Sequence, residues 1–425
     1  MYCRKNKFPI LNQLSSFFQH MTNLAWLLQI LKAGFKSVYC CAQDQYFARL
    51  KRSHPAIDAN SGLNLIGYYR ADLGLGEALR YLAYGLSYAK IPFLVRKFSP
   101  KLRARQSNVS LLSYESSHCA HPINCIVINP DLLRRLPQWL RYQEWAKRYN
   151  IAYWFWELEQ FPRAWKYALP LIDEIWVNTE FNAKTMRTVH SRVTKIPFAI
   201  EFELPSAHFN PDYFGLPEDR FIFLTSFDFH SSIERKNPQA SIAAFLEAFP
   251  DPDCAVTLII KSTNGQNHPE QYQSLRELAQ EDPRIIFLDR QLSSSENRGL
   301  LNTADCFVSL HRSEGLGLGL AESMYLGKPV IATNYSGNLE FMNPKNACLV
   351  SYELIAVGSH YPHGHNQVWA QVYISDAARN MREIFNNSSW RCALSERARQ
   401  DMLTHHSYQV MGNAITKRLL EIAQE

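Results

Sequence analysis

The strongest constraint on the fold is an alternation that runs through most of the chain and is interrupted once. Short runs rich in β-branched and aromatic residues, LNLIGYY (63–69), PFLVRKF (92–98), NCIVIN (124–129), NIAYWFWEL (150–158) and DEIWVNT (173–179), each precede a segment of helical length. In one of these, residues 76–89, Leu79, Leu82, Ala83 and Leu86 recur at helical spacing and mark a single apolar face. A proline- and phenylalanine-rich stretch without periodicity, 197–220, breaks the series. The alternation then restarts with FIFLTSFDF (221–229), AVTLIIK (255–261), RIIFLD (284–289), DCFVSLH (305–311) and PVIATNY (329–335). Repeated strand–helix units predict parallel sheets covered by helices on both faces. Two such series joined by a linker predict an α/β protein with two doubly wound, Rossmann-like domains. Ligands of such sheets bind beyond the carboxyl ends of the strands, so the cleft between two domains is the expected site.

A length of 425 residues suits two or three domains. The pattern predicts a basic extension over 1–57, a first Rossmann-like domain over 58–200 and a second over 201–400. Residues 401–425 form a final helical segment. Most of the positive charge lies at the front: residues 1–57 carry Arg4, Lys5, Lys7, Lys32, Lys36, Arg49, Lys51 and Arg52 against Asp44 alone. Such an arm is either a solvated tail or a contact for an acidic membrane surface. The apolar run near Leu24–Leu31 is too short to span a bilayer, though an interfacial amphipathic helix fits it. Nine scattered cysteines without a C-x-x-C pair fit reduced thiols and a cytoplasmic location, with the inner membrane face as the place of any peripheral contact. No dense basic face with interleaved aromatics argues for a nucleic-acid partner.

The chemistry concentrates in SLHRSEGLGLGLAESMYLGKPVIATNYSG, residues 309–337. Glu314 and Glu322 are separated by seven residues, among them Gly315, Gly317 and Gly319. Glu314 falls after a buried strand, and Glu322 about one turn into the following helix. Free N–H groups and the positive dipole at a helix start attract phosphate, and glycines let a ligand approach the backbone. A ligand with a sugar at each end and phosphates between them suits this layout. The segment FDFHSSIERKNPQASIAAFLEAF (227–249) adds a second polar loop, in which adjacent Arg235 and Lys236 precede an Asn237-Pro238 helix start. Arginine offers a bidentate fork to a diphosphate, and lysine a point charge.

The motif EGLGLGLAESM followed by GKPVIAT resembles the E-x7-E signature of retaining GT-B glycosyltransferases, in particular glycosyltransferase family 4, also described as glycosyl transferases group 1. The likeness extends from about residue 62 to the carboxyl terminus. It implies that Glu314 contacts the hexose of a nucleoside diphosphate sugar and Glu322 its ribose, and that Gly317, Leu318 and Gly319 supply backbone amides. It also implies that Lys236 and Arg235 stabilise the leaving diphosphate, so that Glu314, Lys236 and Arg235 are the expected catalytic residues. The family spaces its Arg and Lys further apart than this chain does, which leaves the Arg235 role open. Gly74 and Gly76, in GYYRADLGLGEALR (67–80), match the family's amino-terminal glycine loop; Gly337 and Asn338 match a glycine loop bordering the donor. The final helix is expected to cross back to the first domain.

Trp154, Trp156 and Glu157, in YWFWELEQFP (153–162), are candidates for contact with an acceptor sugar, with core packing the alternative for the indoles. Asp251-Pro252-Asp253 has the letters of a metal-binding D-x-D but reads as a turn, and His360, His363 and His365 read as loop histidines. The resemblance implies no required cofactor or metal. It implies transfer of a hexose, with mannose from a GDP donor the first expectation, to a glycan or lipid-linked acceptor as in polysaccharide biosynthesis. A nucleotide-sugar epimerase of the same fold and a non-catalytic nucleotide-sugar binder in a glycan-assembly complex are the alternatives.

Overall fold

The computed structural model describes residues 55–58, 60–97, 104–136 and 139–425. The basic arm inferred from the sequence lies almost wholly outside the described residues. The rest forms two parallel sheets, as the alternation predicts. The first contains β1 (Leu63–Gly67), β2 (Phe93–Lys97), β3 (Glu115–Ser116), β4 (Ile123–Val127), β5 (Tyr149–Tyr153), β6 (Glu174–Val177) and β7 (Val193–Lys195), in the order β3-β2-β1-β4-β5-β6-β7. The second contains β8 (Phe221–Asp228), β9 (Val256–Thr263), β10 (Ile285–Asp289), β11 (Cys306–Ser309), β12 (Val330–Thr333) and β13 (Cys348–Val350), in the order β10-β9-β8-β11-β12-β13. An antiparallel hairpin of β14 (Tyr352–Ala356) and β15 (Val368–Val372) follows. In each sheet the chain order reverses beside the first strand, between β1 and β4 and between β8 and β11. Connections leave in opposite directions there and open a crevice at the carboxyl ends of those strands.

Five of the helices position the site: α1 (Gly74–Tyr88), α2 (Glu180–Arg187), α3 (Pro238–Ala248), α4 (Ser294–Thr303) and α5 (Leu318–Tyr325). Helix α6 (Tyr408–Gln424) ends the chain. Its Met411, Ile415, Leu419 and Ile422 join the buried cluster formed by β1, β4, β5 and α1. Arg418 of α6 fixes this docking through Glu174 of β6, with Nε and Nη2 2.9 and 3.0 Å from the carboxylate oxygens. Among the described residues no helix is long and apolar enough to cross a membrane.

Several short strands are absent from the sequence reading: β3, β7, β13 and the β14–β15 hairpin. β3, β7 and β13 are two or three residues long and β14 is largely exposed, so none of these four shows a period. The strand expected over 150–158 ends at Tyr153. Beyond it the chain turns out of the sheet, because the Trp154 indole donates to Ile128 O (3.0 Å) and the Trp156 indole to Gln160 O (2.9 Å).

A polar ladder crosses the first sheet inside strands that read as apolar. Asn64, Asn124 and Asn150 are fully buried and lie side by side in register on β1, β4 and β5. Asn64 Nδ2 donates to Asn124 Oδ1 (2.8 Å), Asn124 Nδ2 to Asn150 Oδ1 (2.8 Å), and Asn150 Nδ2 to Trp145 O (2.7 Å). A slip of any one strand would leave these amides unpaired away from water, so the ladder fixes the register. Asn124→Ala is expected to destabilise the fold by about 2–3 kcal/mol, because it leaves two buried amides short of partners. Urea unfolding checks this; an unchanged midpoint would show that the ladder does not contribute.

Candidate active site

The carboxyl ends of β1, β4, β8, β9 and β11 surround a cleft of about 780 Å³ between the two sheets. Gly74, Glu77, Tyr81 and Glu157 line it from the first domain; Arg235, Lys236, Lys261, Glu314, Gly317, Leu318, Gly319 and Glu322 line it from the second.

Glu314 stands at the centre, in the loop that follows β11. It is buried, and its two oxygens face two cations: Lys236 Nζ on Oε1 in a short ion pair, and Arg235 Nη1 3.2 Å from Oε2. Burial alone would raise the Glu314 pKa, but Lys236 and then Arg235 outweigh it and hold the carboxyl down at about 2. Arg235 is itself aimed by Ser313 O (2.9 Å) and Ser231 O (3.2 Å). Adjacent residues reach one carboxylate from two sides because the chain turns sharply here: Ser232 and Asn237 have positive φ, 67° and 53°. The Asn237 side chain anchors that turn to Leu310 O (2.9 Å).

The Glu314 backbone is held as tightly as its side chain. Its N–H donates to Ser336 Oγ (2.8 Å), and its carbonyl accepts from Gly337 N–H (2.9 Å). A Cβ on Gly337 would lie 2.2 Å from Gly315 O, so only glycine permits this contact. The first domain completes the cradle: Asn182 Nδ2 and Thr179 Oγ1 donate to Gly315 O at 2.8 and 3.2 Å. Gly317 then caps α5 with φ 92°, and the first amides of that helix open on the cleft.

Glu322 lies one turn into α5 in a different setting. Tyr81 Oη of α1 donates to it across the cleft (3.1 Å), and Arg298 Nε of α4 is 3.5 Å away. Arg298 also lies 3.8 Å from Glu77 of α1, which accepts from Ser294 Oγ (2.8 Å). Burial dominates here, Glu77 adds repulsion, and Arg298 offsets only part, so the Glu322 carboxyl is pushed up to about 7.

The structure brings together Glu314, Lys236, Arg235, Glu322, Gly317, Leu318, Gly319, Gly74 and Glu157. Other sequence candidates lie behind the cleft wall. Asn338 is fully buried, its Oδ1 3.1 Å from His311 Nε2 and its Nδ2 donating to Thr333 O (3.0 Å). With Gly337 it supports the Glu314 loop from behind. Gly76 is buried where a Cβ would lie 2.3 Å from Ala71 O, so it closes the loop before α1 instead of facing the cleft. Trp154 and Trp156 are buried, stacked on Phe161 and packed against Trp165. Of that trio only Glu157 reaches the cleft, its carboxylate accepting from Tyr361 Oη (2.9 Å). His363 packs on Trp165 at 5.2 Å between ring centres. Sequence reading did not find Glu77, Tyr81, Arg298 and Lys261. The cross-cleft partners of Glu77, Tyr81 and Arg298 are 217 to 241 residues distant, so spacing along the chain gives no sign of them.

Two Rossmann-like domains facing a cleft, each opened at its topological switch point, define the GT-B fold of glycosyltransferases. Residues 223–357 match the family model described as Glycosyl transferases group 1, a span that contains Arg235, Lys236, Glu314 and Glu322. The chain is similar to HepE of Anabaena, solved in complex with UDP and glucose (13% identity, TM-score 0.61, covering 85% of this chain and 100% of that one). It is similar also to sucrose-phosphate synthase of Thermosynechococcus elongatus (15%, 0.60, 85% and 99%). A glycosyltransferase of Rickettsia africae is a third (13%, 0.59, 86% and 99%). No curated protein matches the sequence.

The raised Glu322 pKa has a consequence for stability. The folded protein binds this proton more tightly than the unfolded chain, so the contribution is full below about pH 4.5 and is lost as pH rises through 7. The wild type is expected to lose about 3 kcal/mol over that window from this group alone. Glu322→Gln should lack that part of the slope. Urea unfolding at pH 5, 6, 7 and 8 decides it, and parallel curves for the two proteins would reject the assignment.

Proposed function

We propose that this protein is a glycosyltransferase that moves a hexose from a nucleoside diphosphate sugar to a hydroxyl of a glycan or lipid-linked acceptor, with retention at the anomeric carbon. The observation that carries this reading is Glu314 held between Lys236 and Arg235 beside the open start of α5. In the proposed complex Glu314 accepts hydrogen bonds from hexose hydroxyls, and Glu322, in its ionised form, from the ribose. The bond between the anomeric carbon and the diphosphate oxygen breaks as the acceptor oxygen, approaching on the same face, forms its own and gives its proton to the departing diphosphate. The departing diphosphate takes the electron pair and is stabilised by Lys236, Arg235 and the amides at 317–319. These groups supply the positive charge that another enzyme would draw from a divalent ion, and the reading therefore includes turnover in the presence of a chelator. Glu157, whose carboxylate accepts from Tyr361 Oη on the cleft wall, is the proposed contact to the acceptor.

HepE is solved with UDP-glucose, and TarM of S. aureus with UDP and α-GlcNAc-glycerol. These ligands make uridine donors the first to test, beside the GDP-mannose expectation from sequence. The basic amino-terminal arm would bring the enzyme to an acidic membrane face, where lipid-linked acceptors reside.

The test is thermal unfolding with UDP, GDP, dTDP, CDP and ADP in excess EDTA, followed by transfer assays with the sugar form of the best binder. A nucleotide at 100 times its dissociation constant adds about 2.7 kcal/mol. One nucleotide is expected to raise the melting temperature, and Glu314→Ala and Lys236→Ala each to lower turnover by at least about 100-fold, the scale of losing a transition-state donor. Full turnover by both variants would refute the site. Conversion of the sugar without an acceptor would favour an epimerase instead.

A further inference from the structure

Lys261 takes no part in the chemistry described above, yet its position demands a reason. It lies on β9, which is hydrogen-bonded to β8, and pairs in register with Ser226. Both residues line the cleft. Only 6% of Lys261 is exposed, and among the described residues no hydrogen bond or ion pair reaches its ammonium group. The acids that act on it are Asp228 on β8 and Asp289 at the end of β10. Both are already committed to neighbouring loops: Asp228 Oδ1 accepts from His230 N–H (2.9 Å) and Asn264 Nδ2 (2.8 Å). Asp289 Oδ1 accepts from Ser262 Oγ (2.8 Å) and Gly265 N–H (3.3 Å). A buried cation without a partner is costly, and natural folds keep one where a ligand supplies the missing contact.

Charge balance identifies the ligand. Arg235 and Lys236 share Glu314, and Glu157, also on the cleft, acts on Arg235, so these four groups together carry no net positive charge for a ligand. A nucleoside diphosphate sugar carries one negative charge on each phosphate. We propose that Lys261 is a donor-binding residue that supplies a further cation, one no acid of the cleft pairs with, its ammonium hydrogen-bonding a phosphate oxygen of the nucleoside diphosphate. This rests on the glycosyltransferase reading and adds to it a contact from the third strand of the cleft floor. Burial lowers the Lys261 pKa to about 8, so its ammonium stands near its titration point. A phosphate bound beside it pulls that pKa up, and binding then takes up a proton above pH 8.

The experiment is calorimetric titration of the same five nucleoside diphosphates into the full chain, wild type and Lys261→Met, at pH 6.5 to 9.5. Free phosphate is fully ionised over the upper part of this range, its second pKa being about 6. Wild-type affinity is expected to fall up to about tenfold per pH unit above 8, with measurable proton uptake. Lys261→Met should bind at least about tenfold more weakly at pH 7, the loss of one charge-assisted hydrogen bond, and should show a flatter pH profile. Its ligand-free melting temperature should equal or exceed that of the wild type, because an apolar chain of similar length replaces an unpaired charge. Equal affinity in the two proteins would overturn the proposal. So would an equal loss with the bare nucleoside, which would move the contact to the base or ribose. A marked loss of ligand-free stability would make Lys261 a structural residue and overturn it too. Wild type that binds none of the five would sink the glycosyltransferase reading itself, a result distinct from the other three.

Discussion

The site depends on a carboxylate buried between two cations. Glu314 could not remain ionised in that position alone, since desolvation of a charge costs several kcal/mol. Lys236 and Arg235 reverse the balance, and each of the three then constrains the other two. The arrangement requires a sharp turn before α3, a glycine at 337 and a serine at 336, none of which touches a ligand in the proposed complex. Much of the residue pattern in 231–237 and 333–338 is explained by the need to hold one side chain.

The same loop joins the two domains. Gly315 O accepts from Asn182 and Thr179 of the first domain, and Tyr335 Oη donates to Glu159 (2.9 Å). Glu180 N–H donates to Glu340 (2.7 Å). Gln160 N–H donates to Gln367 Oε1 (2.9 Å). On the far side of the cleft, Tyr81 and Glu77 of α1 meet Glu322, Arg298 and Ser294. Of the residues proposed to hold the donor, Glu322 meets the first domain directly, and Glu314 stands beside Gly315, which does so through its carbonyl.

How much of this was legible in the sequence follows from the range of each interaction. The parallel sheets were legible because their strands are apolar on both faces and several residues long, so period and length agree. The Glu314–Glu322 segment was legible because its whole geometry, strand end, glycine cap and helix start, is encoded within a dozen adjacent residues. The Asn64–Asn124–Asn150 ladder was not, because one asparagine in a strand carries no sign of the two beside it. Gly337 and Asn338 were read as ligand contacts because sequence shows that a loop borders the donor segment but not which face it presents. Trp154 and Trp156 show the same limit: alternation puts them on one side of an extended chain, but the chain leaves the sheet at Tyr153 and both indoles turn inward.

The two glutamates of one short segment end in opposite electrostatic states, one held at about 2 and the other raised to about 7. Nothing in their own neighbourhood along the chain distinguishes them. The difference comes from what other segments deliver: the turn before α3 brings two cations to Glu314, while α4 brings one arginine to Glu322 and α1 brings a competing acid. Glu314 is thus fixed as an anion before any ligand arrives, suited to a permanent contact. Glu322 sits near the point where its charge depends on its surroundings, and a hydroxyl donor placed against it would shift it toward the ionised form. A pair of acids that looks symmetric in sequence becomes, through long-range packing, one constant contact and one conditional on the ligand.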